Sequence, residues 1–316
     1  NLMYPYALID LHCDTLTDCG KGDASKSDTL EDPAKVLSLS AIPQQTHWAQ
    51  FYAVFTPDQI RGQGAIDYFA ANRANFDRQM EKFADRVAPC RTAGDMEQAW
   101  AAGKTAAFLT VENGSVLAGR MDQVEVMDQA GVKAITLTWN GENEIGSGNT
   151  TDHGLSDFGR AVIPELEQRH ILLDVSHLND LGFRQVLDIA QRPFVATHSN
   201  ARAVCSHRRN LTDDMIREMA ARKCLIGLNY YISFLSDQGE AQPEDFRRHV
   251  EHFFELGAGD CLALGSDFDG ADLPQWLDSP DKAAGLYQRF LDWGLTKEQA
   301  DGILWKNALR FFQENL

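Results

Sequence analysis

Positive charge is scarce in this sequence. Only 29 lysines and arginines stand against 46 acidic residues, for a formal net charge of −17 and a pI near 4.9. A surface of that sign repels phosphate backbones, so nucleic acid is excluded as a partner. Long apolar runs are also missing. None approaches the ~18 residues a membrane helix needs, and no membrane partner is expected. The N-terminus has no basic segment followed by an apolar one; an apolar, strand-like run starts at Ala7, so no secretory leader is expected. Cysteine is scattered: Cys13, Cys19, Cys90, Cys205, Cys224 and Cys261 form no CxxC pair and no dense framework. Buried thiols in a reducing cytoplasm suit them better than disulfides or a thiolate zinc site. Internal repeats and low-complexity segments are lacking too.

What remains is an ordinary globular composition of 316 residues, 44% hydrophobic and 24% charged, enough to bury a large core. The length permits two domains, but α/β barrels run to roughly 250 residues or more as one, and a single domain over 1–316 is expected. Eight short apolar or β-branched runs recur: Ala7–Leu11, Gln50–Phe55, Ala106–Val111, Ala134–Thr138, Ile171–Val175, Phe194–Thr197, Leu225–Asn229 and Cys261–Gly265. Near-continuous apolar character suits strands buried on both faces. Helical segments are predicted between and after them at Ala65–Phe83, Ser156–Arg169, Thr212–Ala221, Pro243–Leu256 and Thr296–Asn315. Strand then helix, eight times, predicts an α/β fold of the (β/α)₈ TIM-barrel type.

In such barrels the active site forms at the C-terminal strand ends. The first run continues Ile-Asp-Leu-His-Cys-Asp, so His12 and Asp14, two apart, project to one side of the strand. The third continues to Glu112, the fifth to His177, the sixth to His198 and the eighth to Asp267 and Asp269. Taken singly, a histidine after a strand is more often a hydrogen-bonded structural residue, and an aspartate a helix cap. Converging on one mouth, imidazoles and carboxylates are the ligands that suit Zn²⁺ and similar divalent ions. They exceed what one ion needs, whereas two ions about 3.5–4 Å apart would use them all. Glu112, with two carboxylate oxygens, is the natural bridge, with His12 and Asp14 on one ion and His177 and His198 on the other. His47, His153, His170, His207, His249 and His252 lack this placement, although His153 and His207 fall in loops near the mouth. The polar loop Gly20–Asp32 and the segment Asn229–Ser236 are expected to line the pocket. Tyr230 is either a substrate contact or packing at the barrel rim.

The ordered set of motifs resembles the membrane (renal-type) dipeptidase family, binuclear zinc peptidases among the metallo-dependent, amidohydrolase-like barrels. The matching stretches are Ile-Asp-Leu-His-Cys-Asp at 9–14, Val-Glu-Asn-Gly at 111–114, Gly-Leu-Ser-Asp-Phe-Gly at 154–159 and Leu-Leu-Asp-Val-Ser-His at 172–177. They continue with Thr-His-Ser-Asn-Ala-Arg at 197–202, Arg-Arg-Asn at 208–210, Gly-Ser-Asp-Phe-Asp-Gly at 265–270 and Asn-Ala-Leu-Arg-Phe-Phe at 307–312.

The resemblance implies hydrolysis of dipeptides, L-Xaa-D-Xaa as well as L-Xaa-L-Xaa, by a hydroxide bridging two zinc ions. It assigns Arg209 to the substrate carboxylate, a task that suits a planar guanidinium. It assigns Asp267 to the scissile nitrogen and the substrate ammonium, where it returns a proton to the departing amine. It also makes a homodimer a possible assembly. One departure stands out: Trp139 occupies the place where mammalian members carry a histidine that polarises the scissile carbonyl. Either the indole N–H donates there, or Asn140 or His153 substitutes, or the ions suffice. Two other readings compete. A lactonase, phosphotriesterase or deaminase would more often carry His-x-His and a bridging lysine. A non-catalytic metal- or peptide-binding module would not need Asp267.

Overall fold

The computed structural model describes residues 3–17 and 29–316. Its eight barrel strands, all parallel, are β1 Ala7–Cys13, β2 His47–Phe55, β3 Thr105–Glu112, β4 Val132–Thr136, β5 Leu172–Asp174, β6 Val195–Ala196, β7 Leu225–Leu228 and β8 Leu262–Leu264. The ring closes because β1 pairs with both β2 and β8, and β2 pairs in turn with β3. This is the (β/α)₈ barrel the eight apolar runs predict. β1 is buried along its whole length, as a strand covered on both faces must be.

The structure adds a ninth strand, Val87–Pro89, beside the first residues of β3, where the later-starting β4 leaves an edge open. Three residues are too few to stand out as an apolar run. The expected helix at Ala65–Phe83 is found at Gly62–Lys82, and those after Ser156 and Thr212 begin at Asp157 and Asp213. In both of the latter the cap hydroxyl accepts a backbone N–H of the first turn. The helix predicted at Pro243–Leu256 runs Pro243–Glu255. The C-terminal segment is not one regular helix. A π-turn at Gly302–Lys306 separates Lys297–Asp301 from Asn307–Asn315. Asn307 just beyond it donates to the carbonyls of Gly259 and Leu262, tying this segment to the base of β8. Its last turns carry Phe311 and Phe312, which pack with Ile9, Phe51 and Phe108 as the barrel floor. No helix of the described residues is long and apolar enough to cross a membrane.

Close strand approach shapes the mouth. A Cβ at Gly265, just after β8, would lie 1.8 Å from the Thr197 carbonyl oxygen, so only glycine lets that chain pass the loop carrying His198. Gly270 plays the same part against Asp14, whose carboxylate oxygen would be 1.7 Å from an added Cβ.

Candidate metal centre and substrate cavity

The strand ends bring together His12, Asp14, Glu112, His177, His198 and Asp267. Glu112 lies at the middle: its Oε2 is 3.5 Å from His12 Nε2, 3.0 Å from His177 Nε2 and 3.2 Å from His198 Nε2. His12 Nε2 is also 3.7 Å from Asp14 Oδ1 and 3.5 Å from Asp267 Oδ1, and its ring stacks on that of His198 at 3.9 Å. Three triplets hold ligand atoms within 4.8 Å of one another: His12–Asp14–Glu112, Glu112–His177–His198 and His12–His198–Asp267. Asp267, assigned on sequence grounds to proton transfer and the substrate ammonium, thus also stands within reach of an ion.

Three carboxylates and three imidazoles converge here with their ligand atoms turned inward, and His12 Nε2 is buried without a hydrogen-bond partner among the described residues. A buried polar atom left unpaired costs stability unless something fills the gap. Cations fit that demand. Burial pushes the His12 imidazole down, but Glu112, Asp14 and Asp267 outweigh it and raise its pKa to about 10. A field that holds a proton so firmly will also hold a metal cation. Burial first, then the positive charge of Arg209 and of a protonated His12, holds His177 and His198 well below the usual histidine range, neutral and so available as ligands.

Partners outside the ligand ring fix the imidazoles. Asn140 Oδ1 accepts from His177 Nδ1 at 3.0 Å, which leaves the His177 Nε2 lone pair facing Glu112. Asp174 accepts the Thr197 hydroxyl at 2.5 Å and its backbone N–H at 3.0 Å; the Thr197 oxygen in turn lies 2.8 Å from His198 Nδ1. Asp10, fully buried, accepts from the Ser266 N–H and hydroxyl and from Gln50, so it pins the turn ahead of Asp267 to β1. Burial raises the Asp10 carboxyl to about 6, even though these donors oppose it. Asn229 Nδ2 donates to Asp267 Oδ2 at 3.2 Å. The sequence reading gave no role to Asp10, Asp174 or Thr197, and placed Asn229 only at the start of a pocket-lining segment. A signal was there for the first two: each is an aspartate inside an apolar strand, two or three residues before a site histidine.

The backbone is strained where these side chains turn inward. His177, Asp267 and Asp269 take φ of 72°, 68° and 66°, a region that costs a non-glycine residue ~1 kcal/mol or more. Asp269 uses that turn to accept from Thr15 Oγ1 and from the Val36 and Leu37 N–H groups, which anchors the β1–β2 connection over the mouth.

A cavity of about 820 Å³ opens above the cluster. Its lining includes Phe55, Trp139, Asn140, Arg209, Tyr231 and Phe234. Arg209 is 6% exposed; it donates to Ser199 Oγ and the His198 carbonyl and lies over the Phe234 ring at 4.9 Å. Burial lowers its pKa only to about 10, so it stays charged at neutral pH. Two expected substrate contacts are elsewhere. Tyr230 is completely buried against Phe246 and Phe268 and does not line the cavity; its neighbour Tyr231 does. His153 is turned to the surface, 73% exposed and paired with Glu142 at 2.8 Å, so it does not stand in for the family histidine. Asn140 does line the cavity, but its carbonyl is engaged by His177. His207, given no role on sequence grounds, is at the cavity wall, its Nδ1 accepting the Arg209 N–H. Of the loop expected at Gly20–Asp32, residues 20–28 lie outside the described residues, as does Cys19.

A parallel barrel with such a cluster at its C-terminal mouth defines a metallo-dependent hydrolase. The family model for membrane dipeptidase (peptidase family M19) matches residues 1–315, and the chain belongs to that family. It is therefore a metallo-dipeptidase by membership. Among solved structures it is similar to dipeptidase AC, a metallopeptidase of family M19, at TM-score 0.90 and 25% identity over 98% of each chain. A metallopeptidase from Rhodobacter sphaeroides, solved with a phosphinate mimic of the dipeptide L-Ala-D-Ala, shares the fold at TM-score 0.90 and 24% identity, covering 98% of this chain and 99% of that one. An amidohydrolase from Pseudomonas aeruginosa shares it at TM-score 0.83 and 19% identity, over 98% and 96%.

Proposed function

We propose that the chain, acting as one domain, is a zinc-dependent dipeptidase that cleaves L-Xaa-D-Xaa and L-Xaa-L-Xaa dipeptides. The observation that carries this reading is Glu112 within 3.5 Å of three inward-facing histidine nitrogens, beneath a cavity that also holds a buried arginine. In this reading His12 and Asp14 would hold one ion, His177 and His198 the other, with Glu112 as the ligand shared between them. The imidazole and carboxylate donor set suits Zn²⁺. When bound, two such ions bring the pKa of a water near neutrality and draw charge off the scissile carbonyl.

The chain's own residues do the rest. Arg209 pairs with the substrate carboxylate and so sets which peptide bond lies over Glu112. Asp267 holds the proton given up by the attacking water and delivers it to the departing nitrogen, which cannot leave as an amide anion. Phe55 and Trp139 line one side of the cavity. The five described cysteines are free, buried thiols, which supports a place in the reducing cytoplasm.

Zinc-loaded protein is expected to release free alanine from both L-Ala-D-Ala and L-Ala-L-Ala, to stop when chelated and to recover when zinc is returned. Tight dipeptide binding without amine release would overturn the reading.

A further inference from the structure

The cavity wall sorts its chemistry around the ring of strands. Asp14 follows β1, and Asp267 and Asp269 follow β8, so one arc is acidic. Arg209, in the loop after β6, is the one lysine or arginine among the described lining residues. Phe55 ends β2 and Trp139 follows β4, and in an eight-stranded ring β2 stands opposite β6. The Phe55 and Trp139 rings meet edge to face at 4.7 Å, and the indole lies 6.2 Å from the His177 ring. Glu112, at the cavity's base, is the only charged group between them in strand order among the lining residues.

A dipeptide is a zwitterion, and its parts sort by charge on such a wall. The carboxylate goes to Arg209 on the β6 side. The ammonium goes to the acidic arc at β8 and β1. With both ends held and the scissile bond over Glu112, the side chain of the first residue is left facing the β2–β4 arc. Above Glu112 at the base, that arc offers the aromatic surface of Phe55 and Trp139, with Asn140 committed to His177. We propose that Phe55 and Trp139 form the subsite for the first residue's side chain and select large apolar or aromatic groups there. This assignment rests on the dipeptidase reading above. It also gives the departure at Trp139 a purpose: an indole gives up the histidine's polar contact for apolar surface that a bulky side chain can cover.

The test compares kcat/KM for L-Phe-L-Ala, L-Leu-L-Ala, L-Lys-L-Ala and L-Ala-L-Ala, with L-Ala-L-Phe as the reversed control. The first two are expected to exceed L-Ala-L-Ala by about tenfold or more, the discrimination an apolar pocket supplies. Trp139→Ala and Phe55→Ala should each reduce that ratio severalfold. Ratios from one preparation cancel any loss of folded or metal-loaded protein. Calorimetric affinities of non-hydrolysable phosphinate analogues carrying the same first-residue side chains should follow the same order. A ratio that survives both substitutions, a preference for lysine, or a preference confined to the second residue overturns the proposal while leaving the dipeptidase reading intact. Failure to cleave any dipeptide overturns that reading and the proposal with it.

Discussion

At the barrel floor, Phe51, Phe108 and Phe312 meet with ring centroids 5.4–5.5 Å apart, among small aliphatic residues. Four residues further along β3, about 13 Å at the usual strand rise, the same strand ends in Glu112 among three histidines. Both ends are buried, yet they are held by different physics. The floor is stabilised by apolar area and filled volume, and any side chains of matching shape would serve. The mouth buries charge and left-handed backbone, each of which costs stability unless a specific partner offsets it. The floor therefore adds stability with no specific partner, while the chemistry and the strain sit at the other end.

That contrast is open to experiment. The largest effect is expected from Glu112→Gln, which should lower turnover by about a thousandfold, the scale lost with a principal electrostatic group. The same variant should keep less than the full complement of metal on elemental analysis. A fully loaded, fully active variant would break the distinction between the two ends. Next comes Phe312→Ala at the floor, which should destabilise the fold by about 3–5 kcal/mol in urea titration. Its kcat per folded, metal-loaded molecule should stay at the parent value; a parallel loss of kcat would show that the ends are not separable. Thr197→Val keeps side-chain shape but cuts the link from Asp174 to His198, and chelator competition should show metal affinity lower by roughly 10–100-fold.

The smallest effect concerns protons. Without metal, His12 is protonated up to about 10, because its three carboxylates favour the cation. Metal must displace that proton, so affinity should fall by about tenfold for each pH unit below that value from this group alone. Calorimetry in two buffers of different ionisation enthalpy should show roughly one proton released per His12 occupied. Metal binding with no proton release would mean that the carboxylates do not act on His12 as described.

Legibility followed the same division. Buried parallel strands are continuous apolar runs, so all eight could be read, though β6 proved only two residues long where Phe194–Thr197 was expected. The π-turn inside Thr296–Asn315 leaves no mark in apolar spacing, because Asn307's contacts with Gly259 and Leu262 are long-range. Tyr230 and Tyr231 illustrate the limit at the site. Beyond Leu228 the strand has ended, alternation no longer says which side chain faces inward, and the chain sent Tyr231 to the cavity.

By itself, then, the sequence determined the barrel and the order in which histidines and carboxylates follow its strands. Burial on both faces demands apolar runs, and chemistry at strand ends demands a polar residue just beyond each. Only the tertiary structure decided that Glu112 lies among all three histidines, that Asp174 backs His198 through Thr197 while Asp10 holds the turn before Asp267, and that Phe55 meets Trp139 across the third strand. Those relations join residues 23 to 256 positions apart, and strand curvature and loop turns set them, not any local preference of the chain.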